Sequence, residues 1–157
     1  KVLDEDGRPV PWDDTTMGEV YVRGPWIATT YIDEPRSAES FIDGWWKSGD
    51  IAAVNEDGVI RLVDRAKDLI KSGGEWISSV DLENTLMAFP GVREATVVGK
   101  PHDKWIERPI AFLVVDPAAI PGDAALREHL STHGIARWWL PDQFILLDAL
   151  PKTGVGK

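Results

Sequence analysis

Chemistry-bearing residues gather at three places in the 157-residue chain. The longest is Asp64-Arg65-Ala66-Lys67-Asp68-Leu69-Ile70-Lys71-Ser72-Gly73-Gly74-Glu75-Trp76, which sets three basic and three acidic residues around two adjacent glycines. Charged connectors mark boundaries that few apolar contacts cross. Glycines admit backbone torsions closed to other residues and let the main chain come close to a ligand. A boundary with that chemistry suits two lobes that reorient around a bound molecule, the connector serving as hinge. A plain polar linker between domains is the simpler reading of the same residues.

The second place is Gly44-Trp45-Trp46-Lys47-Ser48-Gly49-Asp50. A carboxylate at a strand start after glycine can accept two hydrogen bonds from a vicinal diol such as a ribose; it can equally cap backbone amides in a turn. Arg65 suits a hydroxyl or phosphate partner, or a surface ion pair. Lys71, before Ser72-Gly73-Gly74, is placed to touch phosphate, but no Gly-x-x-x-x-Gly-Lys-Ser/Thr loop occurs. The third place is Pro151-Lys152-Thr153-Gly154-Val155-Gly156-Lys157, where two glycines beside a lysine make an arm able to carry one ammonium into a site, or simply a tail. His129 and His133, spaced i, i+4, lack a third ligand and read as a solvated helix face rather than a metal site. Trp45-Trp46 and Trp138-Trp139 read as packing residues, although indoles also line clefts.

The elements that must position these groups divide near residue 66. Residues 1–66 read as all-β: a hairpin through Asp6-Gly7, a strand at Glu19–Arg23 closed by Gly24-Pro25, a helical turn within Pro35–Phe41, and strands Ile51–Val54 and Val59–Val63 around Asn55-Glu56-Asp57-Gly58. From residue 67 the pattern turns α+β. A short strand at Leu69-Ile70 precedes a helix that Ser78 starts with Asp81 as capping-box partner. Leu82, Thr85, Leu86 and Phe89 share a face of that helix, and Pro90-Gly91 ends it. Strands follow at Ala95–Gly99 and Ile110–Val115; then come a helix capped by Asp123 and stopped by Gly134, and a strand at Phe144–Leu147.

Hydrophobic residues make up 43% and charged residues 27%, the balance of a globular protein. No apolar run reaches the roughly 18 residues a membrane helix needs. The chain has no cysteine, which excludes disulfides and thiolate metal sites and fits a cytoplasmic protein. The net charge is −9, of which residues 1–66 hold −7 and residues 67–157 hold −2. That surface disfavours nucleic acid and anionic membranes, so any anionic ligand must be held by local basic residues. A β piece of 66 residues buries little by itself and reads as the end of a larger domain.

Taken together, Gly44–Asp50, Asp64–Glu75 and Pro151–Lys157 resemble, in order and spacing, the acyl-CoA synthetases of the adenylate-forming superfamily. Glu75–Asn84 and Trp138-Trp139-Leu140-Pro141-Asp142 look like the medium- and long-chain fatty-acid–CoA ligases among them. The resemblance implies an α+β chain: residues 1–66 as the β subdomain closing a large N-terminal domain, and residues 67–157 as a small mobile C-terminal domain. It implies a two-step reaction in which a carboxylate attacks the α-phosphate of ATP, and CoA then displaces AMP. By this resemblance Asp50 accepts the ribose hydroxyls with Arg65 and Lys71 on the nucleotide, and Lys67 is the hinge. Gly73, Gly74, Glu75 and Trp76 line the pantetheine tunnel, and Lys157 is the catalytic lysine of adenylation. ATP, Mg2+ and CoA would be bound mainly by the full-length enzyme, whose missing N-terminal domain leaves room for a homodimer. The phosphate loop and the acyl pocket are expected there too, so the 157 residues alone are expected to be inactive. Ile106, between Trp105 and Glu107, stands where relatives often have glycine. Two other classes share parts of the pattern: a carrier-protein-loading adenylation domain, and a nucleotide-binding module without catalysis.

Overall fold

The computed structural model of the chain describes residues 1–32, 35 and 37–152. The chain divides into two compact units, Lys1–Lys67 and Asp68–Lys157, and the class is α+β.

In the first unit the Asp6-Gly7 turn forms with Gly7 at φ +77°. Asp4 N donates to Arg8 O at 2.8 Å and Val10 N to Val2 O at 3.1 Å, so the chain doubles back on itself. Strand β1 (Val2–Leu3) pairs antiparallel with β2 (Gly18–Val22). A single helical turn, α1 (Ser37–Ser40), leads into β3 (Phe41–Ile42). Strand β4 (Trp45–Val54) takes β2 along one edge, and β3 and β5 (Ile60–Arg65) along the other. The β4–β5 turn is the Asn55 one that the sequence predicts, with Asn55 Oδ1 accepting from Asp57 N at 3.1 Å and Val59 N at 2.8 Å. Val2, Val10, Val20, Ala52 and Val54 form its core.

The strand expected at Ile51–Val54 is longer than the apolar run, because β4 continues back through Gly49 to Trp45. Gly49 takes φ +74°, and the register against β2 shifts between Glu19 and Tyr21. A glycine inside a strand marks a bulge as readily as a strand end. Asp50 therefore lies inside a strand rather than at its start.

In the second unit, β6 (Ile70–Ser72) and β7 (Glu75–Ile77) make a hairpin, and α2 (Ser79–Met87) follows. Ser78 is the N-cap, its Oγ accepting from Asp81 N at 3.0 Å as the sequence suggests. The strands expected at Ala95–Gly99 and Ile110–Val115 extend into one long hairpin, β8 (Val92–His102) and β9 (Ile106–Val115). Glu83 ties α2 to β8, accepting from Thr96 Oγ1 at 3.0 Å and Val97 N at 2.9 Å.

Helix α3 (Asp123–Thr132) is capped by Gly122, with no side-chain cap, not by Asp123. Gly122 takes the extended cap conformation, which puts Asp123 in the first turn, where its charge favours the helix N-terminus. Gly134, at φ +86°, ends the helix in a Schellman pattern: Ile135 N donates to Leu130 O at 3.1 Å and Gly134 N to Ser131 O at 3.3 Å. A 3-10 turn (Arg137–Trp139) leads to β10 (Gln143–Leu146), which runs parallel to β9. One edge of β9 is taken by β8, while β6 and β10 share the other. Leu82 and Leu86 of α2 and Leu126 and Leu130 of α3 are fully buried against Ile70, Ile77, Val97, Ala111 and Leu113. Each such leucine is worth about 2–3 kcal/mol of burial.

Candidate functional site

Antiparallel register sets Asp50 opposite Arg65 across β4 and β5. Arg65 Nε lies 3.1 Å from Asp50 Oδ1, with the arginine side chain 59% exposed and the carboxylate 28%. The arginine side chain is therefore accessible to a further partner. Gly49 keeps this corner clear of side chains, and its carbonyl accepts from Ala66 N at 2.9 Å. Lys67 lies exposed in the turn that follows β5, outside any helix or strand.

The second unit builds a different arrangement around the glycine pair. Gly73 and Gly74 form the two-residue tip between β6 and β7, with φ of +62° and +89°. Two successive positive φ values are what a tight hairpin asks of its central residues, and glycine supplies them at least cost. Gly73 N donates to Trp105 O at 2.9 Å, and a Cβ on Gly73 would lie 2.8 Å from the Trp105 ring. No side chain fits there without moving that indole. Ser72, Gly73, Glu75, Trp105, Arg108 and Trp138 enclose an open slot of about 280 Å3. Lys71 is exposed on β6, its N–H donating to Glu107 Oε2 at 2.9 Å and its ammonium 5.6 Å from the Trp76 ring centre. A slot lined by a bare glycine, two indoles and a few polar side chains admits a slender, part-apolar chain.

The structure thus brings Asp50 to Arg65, and Gly73 to Glu75. Lys157 and the Gly-Val-Gly arm lie outside the described residues. Trp105, Glu107 and Arg108 enter the site without a local sequence signal, since only the pairing of β9 with β6 carries them to Gly73. The tryptophan pairs split. Trp45 stacks with Lys1 Nζ and Arg23 Cζ each 4.3 Å from its ring centre, and Trp46 Nε1 donates to Tyr31 Oη at 2.7 Å. Trp139 packs on the core of the second unit, but Trp138 lines the slot.

His129 does not lie on a solvated face: its Nε2 donates to Thr85 O at 2.9 Å and so joins α3 to α2, while His133 stays exposed with its ring centre 4.1 Å from that of His129. Among the described residues no group of three or more His, Asp or Glu is arranged to hold a metal. The Mg2+ implied with ATP is accordingly assigned no ligand. No helix among the described residues is long and apolar enough to cross a membrane.

Residues 81–157 match the family of AMP-binding enzyme C-terminal domains. Over its whole length the chain is 50% identical to a long-chain-fatty-acid–CoA ligase of Thermus thermophilus, covering 29% of that ligase. It is 43% identical, again over its whole length, to a 3-methylmercaptopropionyl-CoA ligase of Ruegeria lacuscaerulensis, covering 29% of that enzyme. Among solved structures, the o-succinylbenzoate CoA synthetase of Bacillus subtilis with its acyl-adenylate intermediate superposes with a TM-score of 0.85 at 32% identity. That superposition covers 99% of this chain and 31% of the synthetase. The chain spans under a third of the length of these relatives.

Proposed function

The chain belongs to the AMP-binding, adenylate-forming enzymes, and on that premise we propose that it supplies the C-terminal part of a cytoplasmic fatty-acid–CoA ligase. In the first step an oxygen of the fatty-acid carboxylate attacks the α-phosphorus of ATP, and pyrophosphate leaves. In the second the CoA thiol attacks the acyl carbonyl, loses its proton, and AMP leaves. Asp50 accepts hydrogen bonds from the ribose hydroxyls, Arg65 flanks the nucleotide, and Lys71 offers a charge to phosphate. Lys157 brings its ammonium to the carboxylate and α-phosphate in the first step. Lys67 is the hinge on which residues 67–157 turn between steps, and the turn Gly73-Gly74 with Glu75 and Trp76 then faces the pantetheine arm.

The observation that supports this reading is the slot against Gly73, where the main chain of the glycine turn comes up to the Trp105 ring with no room for a side chain at residue 73. Fatty acid as the substrate rests on the likeness to the Thermus ligase, since the Ruegeria relative is named for a different acid. The acid pocket and phosphate loop would lie in the rest of the full-length protein, so the 157 residues alone should release no pyrophosphate. The test is to assay the full-length protein with ATP, Mg2+ and fatty acids of graded length, following pyrophosphate and thioester. Fatty-acid-dependent pyrophosphate release and acyl-CoA formation are expected. Adenylation followed by transfer only to a carrier protein would overturn the reading in favour of a carrier-loading domain.

A further inference from the structure

Arg108 follows the slot-facing turn of the β8–β9 hairpin, and its side chain is only 15% exposed. Its guanidinium joins two segments distant in sequence, Ser72 and Trp138–Asp142. Nη1 donates to Ser72 Oγ at 3.2 Å, beside the glycine turn, and to Trp138 O at 2.7 Å. Nη2 donates to Leu140 O at 3.0 Å and to Asp142 Oδ1 at 2.9 Å, and Nε donates to the same oxygen at 3.1 Å. Ser72 and Trp138 both line the slot, and Arg108 Nη1 bridges them. The charge of Arg108 is balanced by Asp142, so the guanidinium acts as a strut rather than a free anion site.

We propose that Arg108 is a positioning residue that fixes the spacing between the glycine turn and the Trp138–Asp142 segment, and through it the fit of the thiol substrate in the slot. The inference deepens the ligase reading and rests on it for the identity of that substrate. A planar fork with five donors can serve several acceptors in fixed directions at once; a lysine ammonium is a point charge on a flexible stem and cannot. Without the fork the carbonyls of Trp138 and Leu140 lose a shared donor, and the wall they belong to is free to draw away from Ser72. Of Arg108's partners only Leu140 packs on the cluster that holds the buried leucines of α2 and α3, and Arg108 binds its carbonyl rather than its side chain, so the core should persist.

Two readouts separate this inference from the ligase reading. In the 157-residue chain, Arg108→Met should speed hydrogen exchange at least tenfold in residues 72–76 and 137–142, while residues 82–86 and 126–130 keep their protection. In the full-length protein, the same substitution should raise KM for CoA at least tenfold, with single-turnover adenylation changed less than threefold. Arg108→Lys should recover less than threefold of the KM loss. Unchanged exchange at both walls would overturn the strut. So would an unchanged KM for CoA, an equal loss in both half-reactions, or full recovery by lysine. Loosened walls in a full-length protein that makes no thioester at all would leave the strut standing and refute the ligase reading instead.

Discussion

Ile106 holds a branched side chain on a left-handed backbone, with φ +72°, and the side chain is 67% exposed. The left-handed region costs an L-residue about 1–2 kcal/mol, and β-branched residues suffer most. The position is where the β8–β9 turn rejoins β9 opposite Ser72, and the neighbouring carbonyl of Trp105 takes the Gly73 N–H. The strain is therefore held at the rim of the slot. Ile106→Gly relieves it, at the expense of greater freedom in the unfolded chain, and loses little burial. A net gain of about 0.5–1 kcal/mol is expected from urea unfolding; a loss of stability would mean that the isoleucine is held by contacts that outweigh its backbone. The sequence resemblance marked this residue as a departure, but its strain became visible only with the register of β6 on β9.

At the scale of elements, α2 illustrates what local chemistry can specify. Ser78 is fully buried and its Oγ accepts from Asp81 N, so the cap satisfies a helix donor that water cannot reach. Ser78→Ala should cost about 1–2 kcal/mol in the second unit, read as a lowered urea midpoint with unchanged slope. A change under about 0.3 kcal/mol would show that another group takes over the cap.

Helix starts, stops and glycine turns are legible in the sequence because each depends on residues three or four apart. Ser78 and Gly134 are legible on that basis, while the cap of α3 falls on Gly122 rather than Asp123 because an extended glycine caps without a side-chain signature. Strand lengths were less legible. The β8–β9 hairpin carries polar residues out to His102 and Ile106, and β4 runs through Gly49, so ladder pairing extends beyond the apolar runs. The parallel pairing of β10 with β9 involves partners more than 30 residues apart, and nothing local announces it. The same holds for the slot. Its glycine pair is legible in the sequence as a place of unusual backbone torsions, whereas Trp105 and Arg108 are brought to it by the sheet.

For the whole molecule, the charge of −9 sets the terms. On the proposed reading, an acidic chain meets the phosphates of ATP and CoA with a few placed cations, namely Arg65, Lys71 and Lys157. On the same proposed reading these 157 residues serve two half-reactions with different groups: Lys157 for adenylation, the glycine turn for thioester formation. An ammonium aimed at the developing charge of a transition state is typically worth about 3–4 kcal/mol, or two to three decades of rate. The most direct measurement is to make Lys157→Ala in the full-length protein and time each half-reaction, giving synthetic acyl-adenylate and CoA for the second. Adenylation should fall by two to three decades, while thioester formation stays within a few-fold of wild type. A comparable fall in both steps would contradict the account.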